Sequence, residues 1–297
     1  MENLRYGRIA GLGLSLRPPA HFVHPSRMKS AVTISLVPEA RGGPFVFWDD
    51  LAGGCAQAAA LGFDAVEIFS RSAEELNAKE LRHLLASHQL ELAALGTGAG
   101  WLVKKLRLTD PDPIIRRQAQ QFIGALIDLA GSFGAPAIVG SMQGRFEGEV
   151  TREQALAWLR EGLEQLGPRA HALGAPLLLE PLNRYETNLL NRTADTLEFL
   201  GTLRTRNVKL LADLFHLNIE EASLPDALRA AGPHIGHIHF ADSNRRAIGF
   251  GHIDVAPVVQ ALREVNYNGY LSAEILPFPD PNSAAKQTIE SFRRWFV

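Results

Sequence analysis

Along this chain the apolar residues gather into short runs, and between the runs they thin out to every third or fourth position. The first pattern is that of a buried strand and the second that of a helix with one apolar face. AVTISL at 31–36 is β-branched and apolar until Pro38 and two glycines break it. FDAVEIF is a second strand, closing at Glu67, and LELAAL at 90–95 and APAIVG at 135–140 are the third and fourth. APLLLE ends on Glu180, NVKLLAD on Asp213, IGHIHF runs over 235–240, and GYLSAEI ends on Glu274. Helical spacing fills the gaps: 48–61, stopped by Gly62; a stretch to His88 opened by a Ser72/Glu75 capping box; a helix from Asp110 and Pro111 to about residue 133. Thr151 and Glu153 start another, through His171 to a stop at Gly174, and the last runs from about 283 to 295. Eight strands alternating with helices predict an α/β chain folded as a single closed (β/α)8 TIM barrel, ahead of a doubly wound open sheet. The barrel is assigned to residues 29–297, after an N-terminal arm over 1–28, with no linker dividing it.

Composition narrows the partners. With 46% apolar residues, 297 positions suffice for a large core, and a net charge of -2 supplies no field for collecting nucleic acid. No apolar run approaches the roughly 18–20 residues that span a bilayer, so no membrane partner is expected. One cysteine, Cys55, excludes an internal disulfide and any cysteine-rich metal site, which fits a cytoplasmic protein. The N-terminal segment is basic, but its apolar patch is short and broken by glycine, so it reads as a loosely ordered arm rather than a cleaved signal. GTGAGW at 96–101 is a glycine-rich loop; lacking the lysine and helix start of a P-loop, it reads as a flexible active-site lip, not a phosphate cradle.

Chemistry collects at the strand ends. The segment HIGHIHFADSNRRAIGFGHID, at 234–254, starts as a strand and passes at Ala241 into residues that supply turns, donors and charge instead of packing. Four consecutive strands end on Glu180, Asp213, His239 and Glu274, and in a closed barrel those positions converge on one face around the axis. Each alone has an ordinary explanation. A strand-end carboxylate caps the next helix or pairs with a cation, and His239, like His234 and His237, can be a satisfied core histidine. Burying three carboxylates together is costly, and a divalent cation is the usual remedy. Three carboxylates and one imidazole suit Mn²⁺, Co²⁺ or Mg²⁺ better than a structural zinc.

The strings LLLEPLNRYETN, LLADLFHLNIEE, GHIHFADSNRRAIGFGHID and YLSAE resemble those of the xylose-isomerase-like TIM barrels, and within them most closely the D-tagatose/D-psicose ketose 3-epimerases. The likeness runs from Met28 nearly to the C terminus. It implies one divalent metal ion held by Glu180, Asp213, His239 and Glu274, with Glu180 and Glu274 as the acid/base pair. It implies substrate contacts from Glu186, His216 and Arg245, a small sugar as substrate, and by analogy a homodimer or homotetramer. The implied reaction is epimerisation or isomerisation of a ketose or related polyol, by proton abstraction next to a carbonyl through a cis-enediolate.

Two stretches depart from that family, GTGAGWLVKKLRL after the third strand and SMQGRFEGEV after the fourth. They put Lys104, Lys105 and Arg145 near the rim, as solvated surface or as partners for a phosphate, an acid or a larger glycoside. Trp101, Phe146 and Phe250 fit a substrate with an aglycone. A lyase of the same superfamily, an inosose dehydratase or an enzyme cleaving 3-keto glycosides or carbon glycosides, is therefore the alternative reading. Endonuclease IV shares this barrel but needs three zinc ions, more histidines and a basic face. A non-catalytic sugar-binding barrel would not require a matched pair of glutamates.

Overall fold

In β1 (Lys29–Ser35) Val32 and Ile34 enter the core between sheet and helices, while Ala31 belongs to a separate cluster with Ala65 and Ala93. That division is the two-residue alternation of a strand, one side facing the helices and the other the barrel interior. The computed structural model describes residues 27–297, so the expected N-terminal arm, apart from its last two residues, lies outside the described residues. After β1 comes β2 (Phe47–Trp48), an addition to the expected eight, laid parallel along the end of β1. The other strands are β3 (Ala65–Phe69), β4 (Glu91–Gly96), β5 (Ala137–Val139), β6 (Leu177–Leu179), β7 (Val208–Asp213), β8 (Ile235–His239) and β9 (Tyr270–Ala273). From β3 onward they pair in chain order, all parallel, and β9 pairs back onto β1 from Lys29 with Tyr270 to Val32 with Ala273. This last pairing closes the ring and removes the open-sheet alternative. Inside, Ala94, Ile138, Leu178 and Leu211 from four successive strands form an apolar plug, so the barrel is a packed core and not a pore.

Apart from the helices at Ala99–Lys104 and Thr193–Gly201, the α-helices start where a short polar side chain satisfies free N–H groups. Asp50 caps α1 (Leu51–Leu61), and Gly62 ends it in the left-handed region at φ 84°. The expected capping box at Ser72 and Glu75 is not the start of α2 (Ala78–Ser87); Asn77 is, its side chain accepting from the Lys79 and Glu80 N–H groups at 3.0 and 3.2 Å. An Asn closer to the apolar face outcompetes the earlier serine. The glycine-rich loop also differs from expectation, because α3 (Ala99–Lys104) begins within it. Asp112 caps α4 (Pro113–Gly131), and α5 (Arg152–Ala172) opens at Thr151 with a Thr151/Gln154 capping box and Glu153 in its first turn. Then follow α6 (Thr193–Gly201), α7 (Leu214–Glu220), α8 (Leu224–Ala231), α9 (Val255–Glu264) and α10 (Pro281–Phe296). Among the described residues no helix is long and apolar enough to cross a membrane.

Candidate active site

Alternation along the staves decides which strand-end residues look into the barrel. Glu180 shares the parity of Leu178, and Asp213 that of Leu211, both in the interior plug. His239 and Glu274 keep the parity of the buried His237 and Ser272. The four heads meet. His239 Nδ1 lies 3.3 Å from Glu180 Oε1, 3.5 Å from Asp213 Oδ2 and 3.6 Å from Glu274 Oε2. One ligand atom from each of the four falls within 4.8 Å of the others. Glu180 Oε1, Asp213 Oδ2 and His239 Nδ1 are buried without a hydrogen-bond partner. Buried polar atoms are seldom left so, and three carboxylate oxygens around one imidazole nitrogen are a donor set that fits a divalent cation.

In Asp213 the helix cap and the cluster contact fall on different atoms. Asp213 Oδ1 caps α7, accepting from the Phe215 N–H at 2.8 Å, and this leaves Oδ2 to the cluster. Glu274 Oε2 is shared with Arg245 Nη2 at 2.8 Å. Glu180 sits directly beneath Gly140, the residue after β5: a Cβ there would lie 2.5 Å from Glu180 Oε2, so only glycine leaves room for the carboxylate.

Proton affinities within the cluster diverge. Burial pushes the Glu180 and Glu274 carboxyls above the usual carboxylate range, and the opposing pull of His239 only partly offsets it. Burial acts on Asp213 too, but His216, His239 and Arg245 together hold it below its ordinary value. His239 is disfavoured as a cation by burial, yet Glu67 and Glu274 raise it well above an ordinary histidine. For His216 burial prevails and lowers it, which keeps that ring neutral. The three carboxyls are thus divided, Glu180 and Glu274 raised and Asp213 lowered.

The three residues expected to touch substrate stand beside the cluster. Arg245 donates to Glu186 at 3.2 Å and to Glu274 at 2.8 Å, with its guanidinium 4.9 Å above the Phe215 ring. It takes a left-handed backbone, φ 58°, in a loop that Asp242 holds by accepting the Ser243, Gly249 and Ile253 N–H groups. His216 Nε2 lies 3.6 Å from Asp213 Oδ2, and its Nδ1 lies 2.8 Å from Asn183 Nδ2. Two residues outside the expected set complete the arrangement. Glu67, on β3, reaches His237 Nε2 at 2.8 Å and His239 Nε2 at 3.2 Å. Asn183 stands behind His216. The available signal for Glu67 was an acid in register with interior positions of an otherwise apolar strand; Asn183 lies inside the EPLNRYE string itself.

A cavity of about 480 Å³ opens above the cluster. Glu67, Glu180, Glu186, Arg245 and Glu274 line its polar side, and Phe45, Phe69, Trp101 and Leu102 its apolar side. The Phe45 and Phe69 rings stack at 4.6 Å. Trp101 therefore meets its expected place on the lip, but Phe146 and Phe250 do not line the cavity, nor do Lys104, Lys105 or Arg145. The lysines lie instead over aromatic rings, Lys104 over Phe122 at 5.0 Å and Lys105 over Trp101 at 5.3 Å.

A closed (β/α)8 barrel with a carboxylate–imidazole cluster at the C-terminal ends of its strands defines a class, the barrel enzymes that carry their chemistry on that face. Within the class, the chain belongs to the xylose isomerase-like TIM barrel family, whose model matches residues 55–295. It is 31% identical over 239 residues to D-psicose 3-epimerase of Agrobacterium fabrum, covering 79% of this chain and 82% of that one. To 3-dehydro-D-guloside 4-epimerase of Escherichia coli it is 28% identical over 243 residues, 78% of this chain and 90% of that one. The crystal structure of D-allulose 3-epimerase from Methylomonas sp. in complex with D-allulose superposes with a TM-score of 0.77 at 24% identity, covering 92% and 98% of the two chains, a likeness of fold. These relatives place the chain among isomerase-class enzymes.

Proposed function

We propose that the chain is a divalent-metal-dependent sugar epimerase that acts on a ketose or keto-sugar by moving a proton at the carbon next to the carbonyl. The observation that carries this reading is the pair of glutamates, buried Glu180 and half-buried Glu274, both of raised proton affinity and both facing one nitrogen of His239. Glu180, Asp213, His239 and Glu274 would hold the ion, of the Mn²⁺, Co²⁺ or Mg²⁺ type, and when bound it supplies a Lewis acid for two neighbouring substrate oxygens. The remaining steps belong to the chain. One glutamate takes the proton from one face of the sugar carbon and the other returns a proton to the opposite face. His216 Nε2 and the Arg245 guanidinium donate to the oxygens on which the enediolate charge gathers. Glu186, tied to Arg245, accepts from a substrate hydroxyl, and Phe45, Phe69 and Trp101 offer an apolar wall to the sugar's CH groups.

The test is to incubate the protein with free ketoses and with 3-keto glycosides in heavy water. The expected product is an isomer of the substrate in which one deuterium has replaced the hydrogen at the epimerised carbon. Loss of water or of an aglycone would overturn the epimerase reading in favour of a lyase. Gly140→Ala probes the same site from outside it. Its methyl group must displace the Glu180 carboxylate, and a shift of about 1 Å at a reacting group costs on the order of 100-fold. The expected result is a fall in kcat of that order with an unchanged far-UV circular dichroism spectrum.

A further inference from the structure

Two histidines meet at the mouth of the barrel, and each is gripped from behind by a partner of opposite character. His239 turns Nε2 to Glu67 Oε1 at 3.2 Å, while Glu67 Oε2 takes His237 Nε2 at 2.8 Å. All three side chains are buried. An ionised carboxylate only accepts, so Nε2 of His239 carries a proton, and Nδ1 is the nitrogen that faces Glu180, Asp213 and Glu274 and is left to ligate once an ion takes the place of its proton. His216 is held the other way round. Its Nδ1 faces two donors, the Asn183 side-chain Nδ2 at 2.8 Å and the Asn183 backbone N–H at 3.3 Å. The amide cannot be turned about, because Asn183 Oδ1 accepts the Tyr185 N–H at 2.9 Å. With donors aimed at Nδ1, the proton of the neutral His216 ring sits on Nε2. That atom is buried, unpartnered, and 3.6 Å from Asp213 Oδ2 and 3.9 Å from Glu180 Oε1.

We propose that Glu67 and Asn183 are positioning residues that give the two imidazoles opposite duties at one site. Glu67, braced by His237, presents His239 as a bare-nitrogen ligand; Asn183 presents His216 as an N–H donor for a substrate oxygen. The duties rest on the epimerase reading above, but the proton positions can be read without turnover. Glu67, His237 and His239 also have the make-up of a second cation site. Both oxygens of Glu67 are already engaged by histidine nitrogens, so the three serve the first site and the described residues take a single ion.

The deciding experiment is ¹⁵N NMR of the histidine rings in Mg²⁺-loaded protein, with Mn²⁺ titrated calorimetrically into the wild type and two variants. The expected wild-type spectrum has His239 and His216 each protonated on Nε2 alone, with one Mn²⁺ per chain. Glu67→Gln is expected to weaken Mn²⁺ about 10- to 100-fold without changing that stoichiometry. Asn183→Asp is expected to move a proton onto His216 Nδ1 and to lower kcat while Mn²⁺ binds as in the wild type. A wild-type proton on Nδ1 of either ring overturns the proposal, and this reading stands even where a variant does not fold. Two ions per chain, falling to one in Glu67→Gln, overturn it in favour of a second cation site. The expected proton positions in a protein that epimerises no sugar would instead overturn the functional reading and leave the positioning intact.

Discussion

Glu180→Gln is expected to abolish exchange of the substrate's proton with solvent deuterium while a divalent ion still binds. Glutamine keeps the shape of the side chain and a carbonyl oxygen where Glu180 Oε1 lies 3.3 Å from His239 Nδ1, so the donor set survives in a weaker, neutral form. What it loses is the ability to take or give a proton. A positioned general acid or base is worth about 100- to 10,000-fold, and an exchange rate reduced by at least the lower figure is expected. Burial raises the Glu180 carboxyl, which suits a group that must pass between its two forms near neutral pH. The measurement is deuterium uptake by mass spectrometry beside a calorimetric Mn²⁺ titration. Exchange at the wild-type rate would remove Glu180 from the acid/base role; loss of the ion together with exchange would make it a ligand first.

Stripping divalent ions with a chelator has the next largest expected effect: turnover falls to background and returns when Mn²⁺ or Co²⁺ is restored. The fold is expected to persist without the ion, because charged neighbours already balance the cluster. Arg245 pairs with Glu274 at 2.8 Å, and His239 carries a raised proton affinity among the carboxylates. Restored ion should still stabilise the native state, by roughly 2.7 kcal/mol at a hundredfold excess over its Kd. A thermal melt with and without Mn²⁺ reads this as a rise in Tm. Full activity in protein that elemental analysis shows to be free of metal would sink the proposal.

Much of the site was legible because a barrel converts sequence parity into geometry. Once GYLSAEI, IGHIHF, NVKLLAD and APLLLE were read as adjacent staves, the common position of Glu180, Asp213, His239 and Glu274 followed from closure. Helix starts were less legible. Ser72 and Asn77 are both competent caps, and packing of the Leu81 and Leu85 face against the sheet selects the second. The glycines at 96–100 signal turn, but a six-residue helix begins among them and carries Trp101 onto the cavity wall.

Glu67 marks the boundary between the two kinds of information. The chain by itself determined the order of strands and helices, their parity and therefore the ring of polar heads, since these depend on local periodicity and on one closure condition. It left undecided which nitrogen of each histidine looks inward and which aromatic rings face the cavity. Those choices depend on contacts between residues far apart in the chain, such as Glu67 with His239 and Asn183 with His216, and only the packed tertiary structure brings such pairs within hydrogen-bonding reach.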